Sequence, residues 1–109
     1  MGRQLHRQAS ETREETLLRQ ARRHARRGDE RGAMLALREC CFSARENARL
    51  WTLYGFACWR ARRQKDAVDA LRQALWLRQR NRDEARARVV RTLLKRIESG
   101  ETPNSKRAA

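Results

Sequence analysis

Residues 50–77, LWTLYGFACWRARRQKDAVDALRQALWL, decide how this chain is read. Trp51, Tyr54, Gly55 and Cys58 are three or four apart and share one face of a helix; Ala67, Leu71, Ala74 and Leu75 repeat that spacing on a second. A polar stretch between the two stripes is a turn, so the segment is expected to form two antiparallel helices. Gly55 inside the first helix costs up to about 1 kcal/mol against Ala. That cost makes sense where another backbone comes close, and Ala67 and Ala74 are the small residues placed to allow it.

The spacing Trp-x2-Tyr-Gly-x2-Cys, followed after eight residues by Ala-x3-Leu-x2-Ala, resembles the tetratricopeptide repeat, a helix-turn-helix unit of about 34 residues. Trp51 stands at the family's aromatic position, Gly55 at its small packing residue, Cys58 where Tyr is frequent, and Ala67 at the alanine of the second helix. Arg62 stands where the family often has a turn Gly, and Gln79 where it often has Pro. The pattern recurs at the same period: Leu17, Ala21, His24, Ala33 and Leu37 lie thirty-four residues before Trp51, Gly55, Cys58, Ala67 and Leu71, with Gln20 opposite Tyr54. Thirty-four residues beyond Trp51, Gly55 and Cys58 come Ala85, Val89 and Thr92, read as the apolar stripe of a fifth helix.

The expected fold is therefore all-α. The resemblance implies antiparallel helix pairs stacked as a short right-handed solenoid of about five helices. An arm, 1–12, leads into a domain over 13–98, made of repeats at 14–47 and 48–81 and a capping helix at 82–98. A disordered tail, 99–109, follows. Ser10 or Thr12 is expected to cap the first helix, Asp29 the second, Asn47 the third, and Asn81 or Asp83 the fifth. Helix two is expected to turn Ala33, Leu37, Cys40 and Cys41 inward, with Met34 and Phe42 as further apolar contacts. Helix five is expected to bury Val89, Val90, Leu93, Leu94 and Ile97.

The chain has 109 residues, 39% apolar and 37% charged, enough for one domain with a thin core. Stacked repeats usually need about three units to be stable alone. Two and a half are expected to self-associate through the repeat ends or to be steadied by a partner. Lys and Arg number 27 against 13 Asp and Glu, a formal charge of +14 that favours acidic partners. A GC-rich genome accounts for Arg over Lys but not for base over acid. Cys40, Cys41 and Cys58 form no C-x-x-C pair and have no histidine cluster nearby, so no metal site is expected; as free, small hydrophobes they fit a reducing compartment. No membrane-spanning run or signal peptide is visible, and a cytoplasmic location is expected.

No catalytic constellation or cofactor site is apparent. His6 lies in the arm and His24 on a packing stripe, neither beside a nucleophile at helix spacing, and no glycine-rich phosphate loop is present. The chain is read as non-catalytic. In tetratricopeptide repeats the first helix of each pair lines a concave groove, which the resemblance places here at Arg19, Arg22 and Arg26, then Arg49, Thr52, Phe56, Trp59 and Arg60, then Arg86 and Val90. Such a groove is basic and aromatic, and its natural ligand is an acidic, partly apolar protein or peptide segment gripped by guanidinium forks, with Phe56 and Trp59 as anchors. The carboxylate clamp of chaperone-binding members is not matched, since Leu18, Arg22, Leu53, Asp83 and Ala87 occupy its positions. The leading reading is an adaptor or scaffold. The alternative is a nucleic-acid binder whose charge tracks RNA or DNA phosphates and whose tryptophans stack on bases.

Overall fold

A computed structural model describes the backbone of residues 2–103 and the side chains of residues 13–103. Five helices follow one another: α1 (Gly2–Arg26), α2 (Glu30–Ser43), α3 (Ala48–Arg60), α4 (Gln64–Arg80) and α5 (Glu84–Glu98). There is no strand among the described residues. α1 begins well before the start expected after Thr12, and the side chains of residues 1–12, expected as an arm, lie outside the described residues along with the tail from 104 onward. Each helix packs mainly on the next one in the chain. Turns of three or four residues permit little else, since they return the chain antiparallel to the helix it has just left.

Four helix ends close with the same hydrogen-bond pair. Gly28 N–H donates to Ala25 O and Asp29 N–H to His24 O; Arg62 to Trp59 and Arg63 to Cys58; Arg82 to Gln79 and Asp83 to Arg78; Gly100 to Ile97 and Glu101 to Arg96. This is the Schellman arrangement, which requires a left-handed residue just past the helix. Gly28 and Gly100 take it at φ 80° and 87°, while Arg62 and Arg82 take it at φ 65° and 56° despite their Cβ atoms. Arg62 therefore adopts the conformation a glycine would adopt more easily. Asp29, Asn47 and Asp83 then start α2, α3 and α5, each side chain accepting a backbone N–H three residues on. α4 starts from Arg63 without a side-chain cap.

The main core is built from small and medium side chains, with Leu71, Ala67, Ala74 and Cys58 all at 0% exposure. Cys40, Cys41 and Leu50 form a second cluster, with Leu17, Trp51 and Tyr54 packed against it. The close approach expected at Gly55 is present, and its partner is chiefly Leu71: a Cβ on Gly55 would stand 2.7 Å from Leu71 Cγ and 3.3 Å from the Ala67 carbonyl oxygen. Ala74 is buried elsewhere in the same core.

Four expected core positions are corrected. Phe42 is 55% exposed and Val89 58% exposed, and Ala85 and Thr92 are exposed too, so the stripe extrapolated onto α5 is out of phase. α5 instead buries Ala87, Val90, Leu94 and Ile97. The reason is length: α4 has 17 residues where α2 has 14, so the caps Asn47 and Asp83 are thirty-six apart rather than thirty-four. Two extra residues rotate a helix by more than half a turn.

Replacing Arg62 or Arg82 by Gly relieves a left-handed Cβ and is expected to raise stability by about 0.5–1 kcal/mol each, read as a higher urea midpoint at unchanged slope. Gly55→Ala is expected to do the reverse. Overpacking costs about 1–3 kcal/mol, offset in part by the better helix propensity of Ala. In a Leu71→Ala background the same substitution should become neutral or stabilising, a coupling that a double-mutant cycle measures.

Candidate functional site

On α3, Arg49, Leu53, Phe56 and Arg60 are spaced by four, three and four residues and share the face turned away from the Gly55 stripe. Leu53 and Phe56 are each 36% exposed there. Between this face and α1 runs a groove of about 340 Å³, floored by Leu18, Ala21, Ala33, Leu37 and Ala57 and edged by Arg22, Arg49 and Arg60. A second depression, of about 180 Å³, lies between α3 and α5 against Thr52, Val89, Val90, Arg78 and Arg86. Arg49 and Leu53 border both. The two hollows thus lie on either side of Arg49 and Leu53, and together they are called the trough below.

The arginines of the trough differ in their engagements. Arg60 is tied to Glu30 of α2 by two hydrogen bonds, 3.1 Å from Nε and 3.0 Å from Nη2, with the side chains only 29% and 25% exposed. Those bonds hold the guanidinium above its ordinary pKa. Arg60 is a tie between helices more than a free hand. Arg86 donates to Asp83 at 3.0 Å, and this bond with the Arg86 backbone N–H keeps the Asp83 carboxyl below its usual range. Arg78 reaches the same carboxylate at 3.5 Å through Nη1, while its Nε is buried and has no hydrogen-bond partner among the described residues. Arg22 and Arg49 form no ion pair among the described residues.

Of the residues expected in the groove, Arg22, Arg49, Phe56 and Arg60 meet in the first hollow, and Arg49, Thr52, Arg86 and Val90 in the second. Val90 is a buried wall residue, and the Thr52 hydroxyl donates to Ala48 O at 2.9 Å. Arg19 and Arg26 are exposed on α1 and line neither hollow. Trp59 is corrected as an anchor, being only 5% exposed. Phe56 stands edge-on to it at 5.7 Å, the Arg96 guanidinium covers it at 5.4 Å, and its indole N–H donates to Glu101 O at 3.2 Å. Two 2.9 Å bonds from Arg96 fix the Glu101 carboxylate in turn. The first residues of the expected tail are therefore tied onto the domain.

Leu53, Glu30, Arg78 and Val89 also line the hollows and were not among the residues expected in the groove. Leu53 carried a signal, standing four after Arg49 and three before Phe56. Val89 did not, because its exposure follows from the two-residue phase shift of α5.

Away from the trough, a pocket of about 390 Å³ between α2, α3 and α4 is lined by Arg31, Arg38, Arg63, Asp66, Trp51 and Tyr54. Arg38 lies over the exposed Phe42 ring at 5.4 Å, and Arg80 over Trp76 at 5.0 Å. His24 is engaged with Asp29 at 2.8 Å. The three cysteines are free and buried. Burial pushes the Cys41 thiol up to about 12 and Cys58 to about 11, which suppresses the thiolate that nucleophilic chemistry requires. Among the described residues no group of His, Cys, Asp and Glu is placed to hold a metal, and no helix is long and apolar enough to cross a membrane. No protein-family model matches this chain, and neither does any curated protein or solved structure.

Thiol pKa values raised in the folded state contribute stability that is complete below the unfolded value near 9 and is lost as pH rises toward 11 to 12. The urea midpoint is expected to fall over that window. A Cys41→Ala, Cys58→Ala variant, less stable at pH 8, should lose less between pH 9 and 11 than the parent.

Proposed function

We propose that the chain is a non-catalytic adaptor that binds an acidic segment of a partner protein in the trough formed by α1, α3 and α5. The observation that carries this reading is the pair Arg22 and Arg49, cations without a carboxylate partner among the described residues, bordering an apolar hollow that exposes Leu53 and Phe56. A guanidinium on a partly apolar surface is gripped best by a carboxylate that arrives with apolar neighbours, since exclusion of water strengthens the charged hydrogen bond. The buried thiols and the engaged His24 favour binding over catalysis.

The finer architecture belongs to the same proposal. A short right-handed solenoid of tetratricopeptide type is supported by equivalences thirty-four residues apart. Gly28 and Arg62 share the left-handed turn, Ala33 and Ala67 the buried start of the second helix, and Leu37 and Leu71 its core contact. In this arrangement the first helix of each pair contributes to the trough, and the exposed outer face of α5, with Arg88 and Lys95, is the end where a second copy would stack.

The rival reading, a binder of RNA or DNA, draws on the formal charge of +14. Pull-down from native lysate with and without nuclease separates the two. Under the adaptor reading, nuclease leaves the captured proteins in place and the Arg22→Glu, Arg49→Glu variant loses them at unchanged helicity. Capture that depends on nucleic acid, with an affinity falling by almost one log unit per log unit of salt for each duplex phosphate contacted, supports the rival and removes the groove model.

A further inference from the structure

The pocket between α2, α3 and α4 differs in chemistry from the apolar hollows of the trough. Its volume of about 390 Å³ falls in the range of about 300–1,000 Å³ that small-molecule sites occupy. Arg31, Leu35, Arg38 and Phe42 follow one another along α2 at spacings of four, three and four, so one face of that helix forms a wall of the pocket. Arg63 and Asp66 line it from the start of α4, and Trp51 and Tyr54 from α3.

Four charges therefore surround one hollow: Arg31, Arg38 and Arg63 against Asp66. All four residues are exposed, so a ligand has access to them, and none is in an ion pair among the described residues. Burial is the largest influence on the Tyr54 hydroxyl and the Cys58 thiol, but Asp66 and Arg38 act on both in opposite directions and Arg63 acts on the thiol. The charges thus converge on one region. Three positive less one negative leaves a surplus of two, which a dianion neutralises. A phosphate monoester carries about −1.5 to −2 near pH 7 and offers three acceptor oxygens to guanidinium forks.

A bare phosphate ion uses only part of this lining. Phe42 is 55% exposed with the Arg38 guanidinium 5.4 Å from its ring centre, an aromatic and cationic pair suited to stacking with a flat, polar ring. The Trp51 indole N–H is already donated to Arg45 O at 2.8 Å, so Trp51 offers its ring alone. A carboxylate only accepts hydrogen bonds, so the ligand that matches Asp66 brings N–H or O–H donors.

We infer that this pocket is a binding site, independent of the trough, for a nucleoside monophosphate, its phosphate answering the arginines, its base against Phe42 and a base or ribose donor toward Asp66. A phosphotyrosine side chain supplies a dianion and a ring but no donor on that ring, and leaves Asp66 unmatched.

The test is calorimetric titration of the full chain, at low and physiological salt, with the 5′-monophosphates of adenosine, guanosine, cytidine and uridine, and with inorganic phosphate, the free nucleosides and phosphotyrosine for comparison. At least one nucleotide is expected to bind once per chain and at least tenfold tighter than inorganic phosphate or its own nucleoside. The Arg38→Glu, Arg63→Glu variant, changed at exposed positions and checked for unchanged helicity, should lose at least tenfold in nucleotide affinity. Phe42→Ala should weaken the nucleotide several-fold and leave inorganic phosphate as it was. The Arg22→Glu, Arg49→Glu variant should bind nucleotide as the parent does, and loss of binding there overturns the inference by moving the site to the trough. Equal affinity for phosphate and every nucleotide marks a general anion effect of a chain with a formal charge of +14 and overturns it, as does the absence of binding. Tighter binding of phosphotyrosine overturns it in favour of a phosphorylated protein segment, and nucleotide binding that survives Arg38→Glu, Arg63→Glu removes the pocket as the site.

Discussion

The contact of Leu71 with Gly55 is the constraint on which the rest of the molecule depends. Leu71 is fully buried and sits where a Cβ on Gly55 would be, so α3 and α4 are drawn together at their middles. The neighbouring contacts on α4 must be equally small, and Ala67, Ala70 and Ala74 are. A core made this way is thin. It uses one side of α3 completely and leaves the opposite side, Arg49, Leu53, Phe56 and Arg60, largely open, with Arg78 of α4 beside Arg49 and Leu53. The trough is the reverse face of the tightest packing in the chain.

Turn chemistry distributes the charge. The chain has 13 carboxylates to 27 cations, and several of the carboxylates are committed at helix ends. Asp29 accepts from Gly32 N–H and from His24, Asp83 accepts from Arg86 N–H and joins Arg78 and Arg86, and Glu101 holds Arg96 just beyond α5. Glu84, at the start of α5, pairs with Arg91. At the helix starts, where Asp29, Asp83 and Glu84 stand, carboxylates are favoured by the exposed N–H groups and the helix dipole, whereas Glu101, beyond a C-terminus, is held by Arg96. Arginines in the middle of α1 and α3 have no comparable source of partners. The basic character of the trough follows from where short turns need acid.

Much of this was legible in the residues. The five helices, the turns at Gly28 and near Arg62, the caps Asp29, Asn47 and Asp83, and the close approach at Gly55 all have local signals: spacing of three and four, a short polar side chain before an apolar run, a glycine where Ala would do better. What escaped the sequence was set at a distance. Phe42 and Val89 belong to apolar patterns yet face outward, because the helix that would cover them is shorter, absent or rotated. The length of α4 rotates α5, and no residue of α5 records it. Trp59 was placed in the groove by register, but Glu101, forty-two positions later, and Arg96 close over it. Arg60 read as a free cation because its partner, Glu30, lies thirty positions earlier.

The same distant contacts decide which arginines are available to a ligand. Drawing Arg60 away from Glu30 would leave a half-buried carboxylate unpaired, and a buried group stripped of its partner costs more than its pair contributes. A ligand gains little there. Arg22 and Arg49 carry no such debt, since no carboxylate among the described residues is paired with them. Arg78 stands between these cases: its Nη1 is loosely held at 3.5 Å by Asp83, and its buried Nε–H is already deprived of solvent without a partner among the described residues in return. Affinity in the proposed trough should therefore concentrate at Arg22 and Arg49, which edge the larger hollow on the side of α1.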